Sequence, residues 1–480
     1  MSGAGVRAVL ARHRPLVVVL AAGAVLRAAA AWATSPALLF TGDSHDYLAS
    51  AEAFRPSLFH PFGYSALLRL LWWTDDLRVV TALQHLLGLG LGAGVYALSQ
   101  RLGASRRLAA VAAVPVLLDA YQVSLERFVL AETLFECLLF AALAVLVVAD
   151  RPSVAACAGG GALLAGAALT RTTGLVAVLP CLALGVARRW GWRGLAAFGV
   201  AVAAPLGAYA VWFHSDHGRF RLQGYDGRWL YGRVAPLAEC DRLRVPPAER
   251  PLCDPRPVGQ RGPRNFYTWD LASPFYNLPV PAPQGLDGRL PARTADDVAL
   301  AFARRVILGQ PADYARSVLG DLGRYLGAGR TTTAADPPIE AWQFRPRTDP
   351  PRLHVSKAGR SFESGVRYPD IDHLPPEPHR SPIRALGAYQ RFGYTPGFVL
   401  AAALAVTVVA CFSRRRPMSA HRRGACLVLA GSAFLLLVVA AATVAFEYRY
   451  LLPATALLMP AGAVAVESLF LRSGPAHDRP

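Results

Sequence analysis

The stretch "LVVVLAAGAVLRAAAAWA" (16–33) runs, after a short gap, into "TGDSHDY" (41–47). The first is apolar over about the length that crosses a bilayer, roughly 17–25 residues. The second packs Asp43, Ser44, His45, Asp46 and Tyr47 into a few positions. A lipid-compatible segment that ends in a dense acid cluster sets the terms for the rest of the chain. Of the 480 residues, 54% are hydrophobic and only 17% are charged, against roughly 25% in an average soluble domain. Mean hydropathy is +0.31, and the apolar residues fall in blocks rather than being spread evenly. An all-α polytopic membrane protein follows.

Ten spans are expected, at about 15–34, 77–100, 108–122, 128–149, 153–170, 174–187, 195–213, 396–412, 424–445 and 451–470. The third is short, and the fifth and sixth are divided only by "TRTTG" (170–174). The net charge of +18 is almost all arginine, since Lys357 is the only lysine. Nucleic-acid binding does not account for it, because much of it sits in short loops between apolar blocks. Arg101, Arg106 and Arg107, then Arg151, then Arg188, Arg189 and Arg193, then "SRRRPMSAHRR" (413–423) fall on alternate loops. The positive-inside rule turns that alternation into an orientation with both termini cytoplasmic and 214–395 extracytoplasmic in a cell membrane. A charged start and apolar core also fit a signal peptide, but its removal would invert the alternation, so the first span is read as retained. Three units result: a transmembrane core over 1–213 with an acid-bearing first outer loop at 35–76, an extracytoplasmic region over 214–395, and C-terminal spans over 396–480.

With this orientation, Asp43, Asp46, His60, Tyr64, Glu126, Arg127, Glu132, Arg171, Glu447 and Arg449 all gather on the outer face. The cytoplasmic loops hold almost only arginine and small residues, so loop polarity alone does not explain the mixture. Ionisable groups near hydrocarbon are costly and mark candidate sites. Cys240 and Cys253 bracket "DRLRVPPAERPL" (241–252) in the outer region. An oxidising compartment favours a disulfide between them over two free thiols, and no further ligands for a zinc site lie nearby. Cys137, Cys157, Cys181, Cys411 and Cys426 lie in or near spans and read as small apolar residues. The segment 296–326 has helical periodicity at Val298, Phe302 and Val306, and again at Tyr314, Val318, Leu322 and Tyr325, broken by Pro311. It predicts two amphipathic helices of the kind that lie along a membrane surface. The stretch 331–383 lacks periodicity and reads as loop.

Four elements together resemble the GT-C superfamily, polytopic glycosyltransferases that use polyprenyl-phosphate sugars; protein O-mannosyltransferases and lipid A aminoarabinose transferases belong to it. They are "GDSHDYL" with "HPFGYSALLRLLWW" (60–73), "LERFVLAETLFECLLF" (125–140), "GAALTRTTGLVAVLP" (166–180) and "EYRYLLPA" (447–454). They are similar to that family's aspartate-bearing first loop, its glutamate at the outer start of the fourth span, its small-residue span ending in arginine, and its Arg-Tyr-x-x-Pro element. A large loop after the seventh span departs from some branches. The stretch 231–253 resembles a group of actinobacterial members without an assigned substrate.

The resemblance implies transfer of a sugar from a polyprenyl-phosphate donor to a hydroxyl on a glycan, lipid or protein acceptor. A lone carboxylate that takes the hydroxyl's proton implies inversion. An arginine fork suits the phosphate. On this reading Asp43 is the base, with Asp46 as a second candidate. Arg449 and Arg171 meet the phosphate, and Glu132, His60, Tyr64 and Tyr450 complete the substrate site. Each has a plain structural alternative. Asp43 caps a helix, Asp46 complements its dipole, the arginines anchor the interface, Glu132 caps a span, and His60 and Tyr64 pack. No cofactor is expected, no metal motif stands out, and a divalent-metal requirement stays open. The glycine runs Gly88–Gly94 and Gly159–Gly161 sit in apolar context and read as close helix packing rather than phosphate loops. A transporter or flippase, or a non-catalytic envelope-assembly protein, are the alternative readings.

Overall fold

The computed structural model describes residues 3–35, 37–40, 42–330, 332, 336, 339–345, 380–444 and 446–471. Among them the regular elements are all helical, and the one β-contact is an isolated bridge between Leu38 and Phe128. Six helices are long and apolar enough to cross a membrane: Arg14–Ala33, Leu77–Arg101, Arg106–Leu125, Gly191–His217, Ala420–Thr443 and Tyr448–Leu471. The other four expected intervals hold shorter helices, Glu132–Val147, Val154–Thr170, Thr172–Ala187 and Gly397–Phe412. The 16 residues of Glu132–Val147 rise about 24 Å at 1.5 Å each, less than the roughly 30 Å of hydrocarbon in a bilayer. The third interval, expected to be short, instead holds a 20-residue stretch of two consecutive helices, Arg106–Leu118 and Ala120–Leu125. The sequence hid its length because the helix breaks at Asp119, whose backbone is extended and whose carboxylate caps the next turn at the Tyr121 amide.

The last helix is the centre of the bundle. Leu451–Val466 is buried over nearly its whole length and packs against Leu77–Arg101, Arg106–Leu118, Glu132–Val147, Gly397–Phe412 and Ala420–Thr443. The loops sort to two ends. At one end Leu38 pairs with Arg127 and Val129, Arg55 with Asp216, Arg330 with Asp119, and Tyr325 with Glu447. At the other, Arg188 reaches the carbonyls of Ala149 and His421, and Arg416 reaches that of Leu469.

Arg27 lies inside the first apolar helix and is buried. Its guanidinium donates to Glu126 through Nε at 2.8 Å and Nη2 at 2.7 Å. It also donates to the Leu117 and Val116 carbonyls at 2.8 and 3.2 Å. Those carbonyls are freed by the break at Asp119, so the arginine satisfies groups that lipid could not. His85 completes the carboxylate's shell at 2.9 Å. Gly88 makes the room: a Cβ there would meet Glu126 Oε1 at 2.1 Å. Gly92, Gly94, Gly160 and Gly161 likewise admit Leu117, Phe140, Leu146 and the Phe198 carbonyl, whereas Gly90 and Gly159 face open space.

Outside the bundle the two expected helices form at Ala295–Gly309 and Pro311–Tyr325, with Pro311 opening the second. They do not lie with their apolar faces on lipid. Val298, Phe302 and Val306 are buried against Tyr231, Val234, Tyr267 and Phe275 in a second core, and Leu322 and Tyr325 pack into the bundle core. An apolar face finds protein partners whenever the chain supplies them, and single-segment periodicity cannot distinguish the two outcomes. The disulfide joins Cys240 to Cys253 and borders the same core. Two parts of the expected 331–383 loop are ordered otherwise. Ile339–Trp342 is a 3-10 turn, and the helix Arg380–Gln390 begins inside the stretch. Most of the remainder lies outside the described residues.

Gly88→Ala is expected to force the Arg27–Glu126 pair apart. Breaking a buried pair costs about 3–5 kcal/mol, so the thermal midpoint in detergent should fall clearly. Gly90→Ala, on the same helix with open space around it, should leave it in place. Equal effects would contradict the packing role of Gly88.

Candidate functional site

The acid loop is stitched into place before its carboxylates do anything. Leu38 donates its amide to the Arg127 carbonyl at 2.9 Å and accepts the Val129 amide at 2.9 Å. Ser44 Oγ donates to the Val129 carbonyl at 2.8 Å and accepts the Phe40 amide at 2.7 Å. Gly42 has φ +88°, a left-handed backbone that favours glycine, and from it the helix Asp43–Ala53 starts. Segment 37–44 is thereby tied to the entry of the helix that begins at Glu132, so Asp43 and Glu132 arrive together.

Arg449 enters from the far end of the chain, on the 3-10 turn Tyr448–Tyr450 that opens the central helix. Its Nη1 donates to Asp43 Oδ2 at 2.8 Å and to Glu132 Oε1 at 3.1 Å, and its Nε to Glu447 Oε2 at 2.9 Å. Arg171 donates to the same Glu132 oxygen. Among the described residues, Nη2 of Arg449 has only a long contact, 3.5 Å, with the Tyr450 hydroxyl. Three carboxylates thus face two guanidiniums. The Arg449 guanidinium lies 5.2 Å from the Phe40 ring, 5.6 Å from Trp342 and 5.3 Å from Tyr450, and Phe40 and Trp342 stack on each other at 4.8 Å. Beside this cluster His60 Nδ1 meets Asp46 Oδ2 at 2.9 Å, and its Nε2 stands 3.9 Å from Asp43 Oδ1. Ser57 donates to the other Asp46 oxygen at 2.5 Å.

The plain structural alternatives fare differently. Asp43 opens its helix but makes no side-chain capping bond; the N-cap position is Gly42. Glu132 opens its own helix in the same way and bridges two arginines instead. Asp46 sits in a first turn, yet its carboxylate is held by Ser57 and His60. Tyr450 borders both arginines, at 5.3 Å from Arg449 and 5.4 Å from Arg171. Tyr64 is not brought to the cluster. It is fully buried behind Tyr47, with its hydroxyl on Gln84 at 2.7 Å. Cys240 and Cys253 belong to the outer core, not to this site. Among the described residues no group of three or more His, Cys, Asp or Glu is placed to hold a metal ion.

Burial alone would raise the Asp43 carboxyl, but Arg449, with His60 and Arg171, outweighs it and holds that group below its ordinary value. Burial wins at Glu447, which is raised despite Arg449. Glu447 is therefore the readier proton holder of the two. Glu447 Oε1, Glu132 Oε2 and the Tyr47 hydroxyl are buried without a hydrogen-bond partner among the described residues. Such groups are rare in folded proteins and call for an explanation.

The chain matches no protein-family model, no curated protein and no solved structure.

Sequence reasoning assigned no role to Glu447, Tyr47, Ser57, Phe40 or Trp342. Glu447 was legible as an acid two residues from an arginine at a span boundary. Trp342 carried no signal, since its segment lacks periodicity.

A double-mutant cycle tests the pairing without reference to any activity. Asp43→Asn and Arg449→Met should each lower the thermal midpoint, and their coupling should fall within about 0.5–3 kcal/mol, the range for contacting residues. Additive effects would contradict the contact.

Proposed function

We propose that this chain is a membrane glycosyltransferase that moves a sugar from a polyprenyl-phosphate carrier to an acceptor hydroxyl outside the cell membrane. The supporting observation is the contact of Arg449 with Asp43, residues from opposite ends of the sequence, amid buried polar atoms that lack partners among the described residues. Fold and orientation follow the same reading: a GT-C-like bundle of ten spans, both termini cytoplasmic, and 214–395 on the acceptor side. The sorting of loop contacts to two ends supports that topology. A membrane-impermeant thiol reagent should label Arg289→Cys, an exposed position, in intact cells; labelling only after lysis would overturn the orientation.

The chemistry needs an anion-binding group and a base within one sugar of each other. The donor's phosphate competes with the carboxylates for Arg449, whose Nη2 is the least engaged nitrogen. Phosphate binding draws the guanidinium from Asp43, which leaves its carboxylate free to accept a proton. The acceptor oxygen then forms a bond to the anomeric carbon as the carbon–oxygen bond to phosphate breaks. The electron pair leaves with polyprenyl phosphate and the acceptor's proton passes to Asp43. Glu132 holds Arg171 and Arg449 in register, and His60 orients Asp46 beside the base.

One observation favours a transporter as the second reading: Arg27, Glu126 and His85 are charged or titratable groups inside the bundle. Arg27 lies six residues from the end of its helix and His85 eight from the start of its own, depths of about 9 and 12 Å at 1.5 Å per residue. Arg27 bonds Glu126 and the Leu117 and Val116 carbonyls, and His85 bonds Glu126 as well, however, which is the pattern of a fixed structural pair rather than a path.

Asp43→Asn keeps size and hydrogen bonding but cannot take a proton. Turnover with polyprenyl-phosphate sugars should fall about 100-fold or more while donor affinity does not weaken. Arg449→Lys keeps charge but loses the fork, so donor affinity should weaken more than the chemical step. Near wild-type turnover in Asp43→Asn would remove Asp43 from the mechanism.

A further inference from the structure

A strip of aromatic rings leads from the carboxylates to the surface. His60, bonded to Asp46, lies 4.5 Å from the Tyr47 ring and 6.3 Å from Phe59, with the Phe59 and His60 planes 28° apart. Phe59 stacks on Trp269 at 5.7 Å, again at 28°. Trp269 is 40% exposed although its neighbours are tightly held. Trp229 meets it edge-on at 4.9 Å. The guanidinium of buried Arg228 lies 4.9 Å from its ring and is itself bound to the Thr268 carbonyl at 2.6 Å and to the Tyr276 hydroxyl. Tyr225 backs Phe59 edge-on at 4.4 Å. An exposed tryptophan fixed from behind by a buried cation differs from a scattered surface ring, because its presented face costs no ordering on binding.

We propose that Phe59 and Trp269 form an acceptor subsite that stacks a neutral glycan chain; this rests on the transferase reading and narrows its acceptor from glycan, lipid or protein to glycan. Three features select that class. Aromatic faces carry negative charge density and attract the polarised C–H faces of pyranose rings. The strip runs into the site that contains Asp43, so a sugar stacked on it points a further hydroxyl toward the base. The groups beside it accept hydrogen bonds from hydroxyls and repel anions: Asp226 and Asp270 are exposed. Gln223 bonds Asp226 at 2.8 Å, and the next residue, Gly224, bonds Leu58 beside Phe59. The rival occupant is the bilayer interface, where tryptophan is enriched for its amphipathic ring.

Purified full-length protein in detergent should be titrated, without any donor, against mannotetraose, maltotetraose and galactotetraose, with ligand-observed saturation-transfer NMR as the readout. At least one should bind, and Trp269→Ala and Phe59→Leu should each weaken it tenfold or more with unchanged thermal midpoints. Trp269→Phe, which keeps a ring, should restore most of the affinity. Trp269-dependent binding together with absent sugar transfer would leave the glycan subsite standing and remove the transferase reading. Failure of all three oligosaccharides to bind wild type overturns the proposal, as does binding indifferent to both platform substitutions. Quenching of tryptophan fluorescence by brominated lipid in reconstituted vesicles that is present in wild type and diminished in Trp269→Phe, with oligosaccharide binding intact in Trp269→Ala, assigns the strip to the membrane interface and overturns it as well.

Discussion

The contact between the Arg449 guanidinium and the carboxylates of Asp43, Glu132 and Glu447 organises the end of this bundle. It joins the exit of the first apolar helix, the entry of Glu132–Val147 and the entry of the central helix. A buried ion cluster of this kind is weak evidence for stability, since desolvation consumes most of its Coulombic gain. Its value lies in placement. Burial opposes Arg449 at both carboxylates: the arginine prevails at Asp43, which is shifted down, and burial prevails at Glu447, which is shifted up. The bundle holds a second buried arginine cluster. The Arg27–Glu126–His85 network is a structural clamp: its arginine also caps freed carbonyls and its space is shaped by Gly88.

Residues between the bundle's helices brace the cluster. Tyr325, at the end of Pro311–Tyr325, accepts the Glu447 amide at 3.1 Å and donates to its carbonyl at 3.2 Å. Trp342 covers the arginine, and Ser124 ties the Trp342 carbonyl to the bundle at 2.7 Å. Trp229 and Arg228 then hold Trp269 where the ring strip meets the solvent. A side-chain cluster at the end of a bundle gains from such a frame, because loops alone do not fix side chains to within a fraction of an ångström.

Much of this was legible from residue type and position. Apolar block lengths located helices in all ten expected intervals, and charge alternation grouped Asp43, Glu132, Arg171 and Arg449 before any fold was known. Burial beside hydrocarbon makes an ionisable group costly, which is why position alone marked them. Other features had no local signal. Arg27 was read as part of an apolar run, although an arginine inside a span demands a partner. The break at Asp119 that creates its carbonyl partners is a tertiary fact, shaped by Thr395 and Arg330 on the Asp119 carboxylate. The amphipathic face of Ala295–Gly309 specified burial without saying whether lipid or protein would supply it. Trp342 and Phe59 owe their places to packing between segments far apart in sequence.

Asp43 and Glu132 share one nitrogen of Arg449, at 2.8 and 3.1 Å, so two carboxylates stand near the proposed reacting carbon. Which of them acts decides the mechanism. A single base gives direct displacement, whereas a nucleophilic carboxylate gives a covalent sugar–enzyme intermediate and net retention. The anomeric configuration of the product, read by proton NMR after transfer from a polyprenyl-phosphate sugar of known configuration, separates them. Inversion, lost in Asp43→Asn, is the expected result. Retention, or no transfer from any polyprenyl-phosphate sugar, would contradict the account.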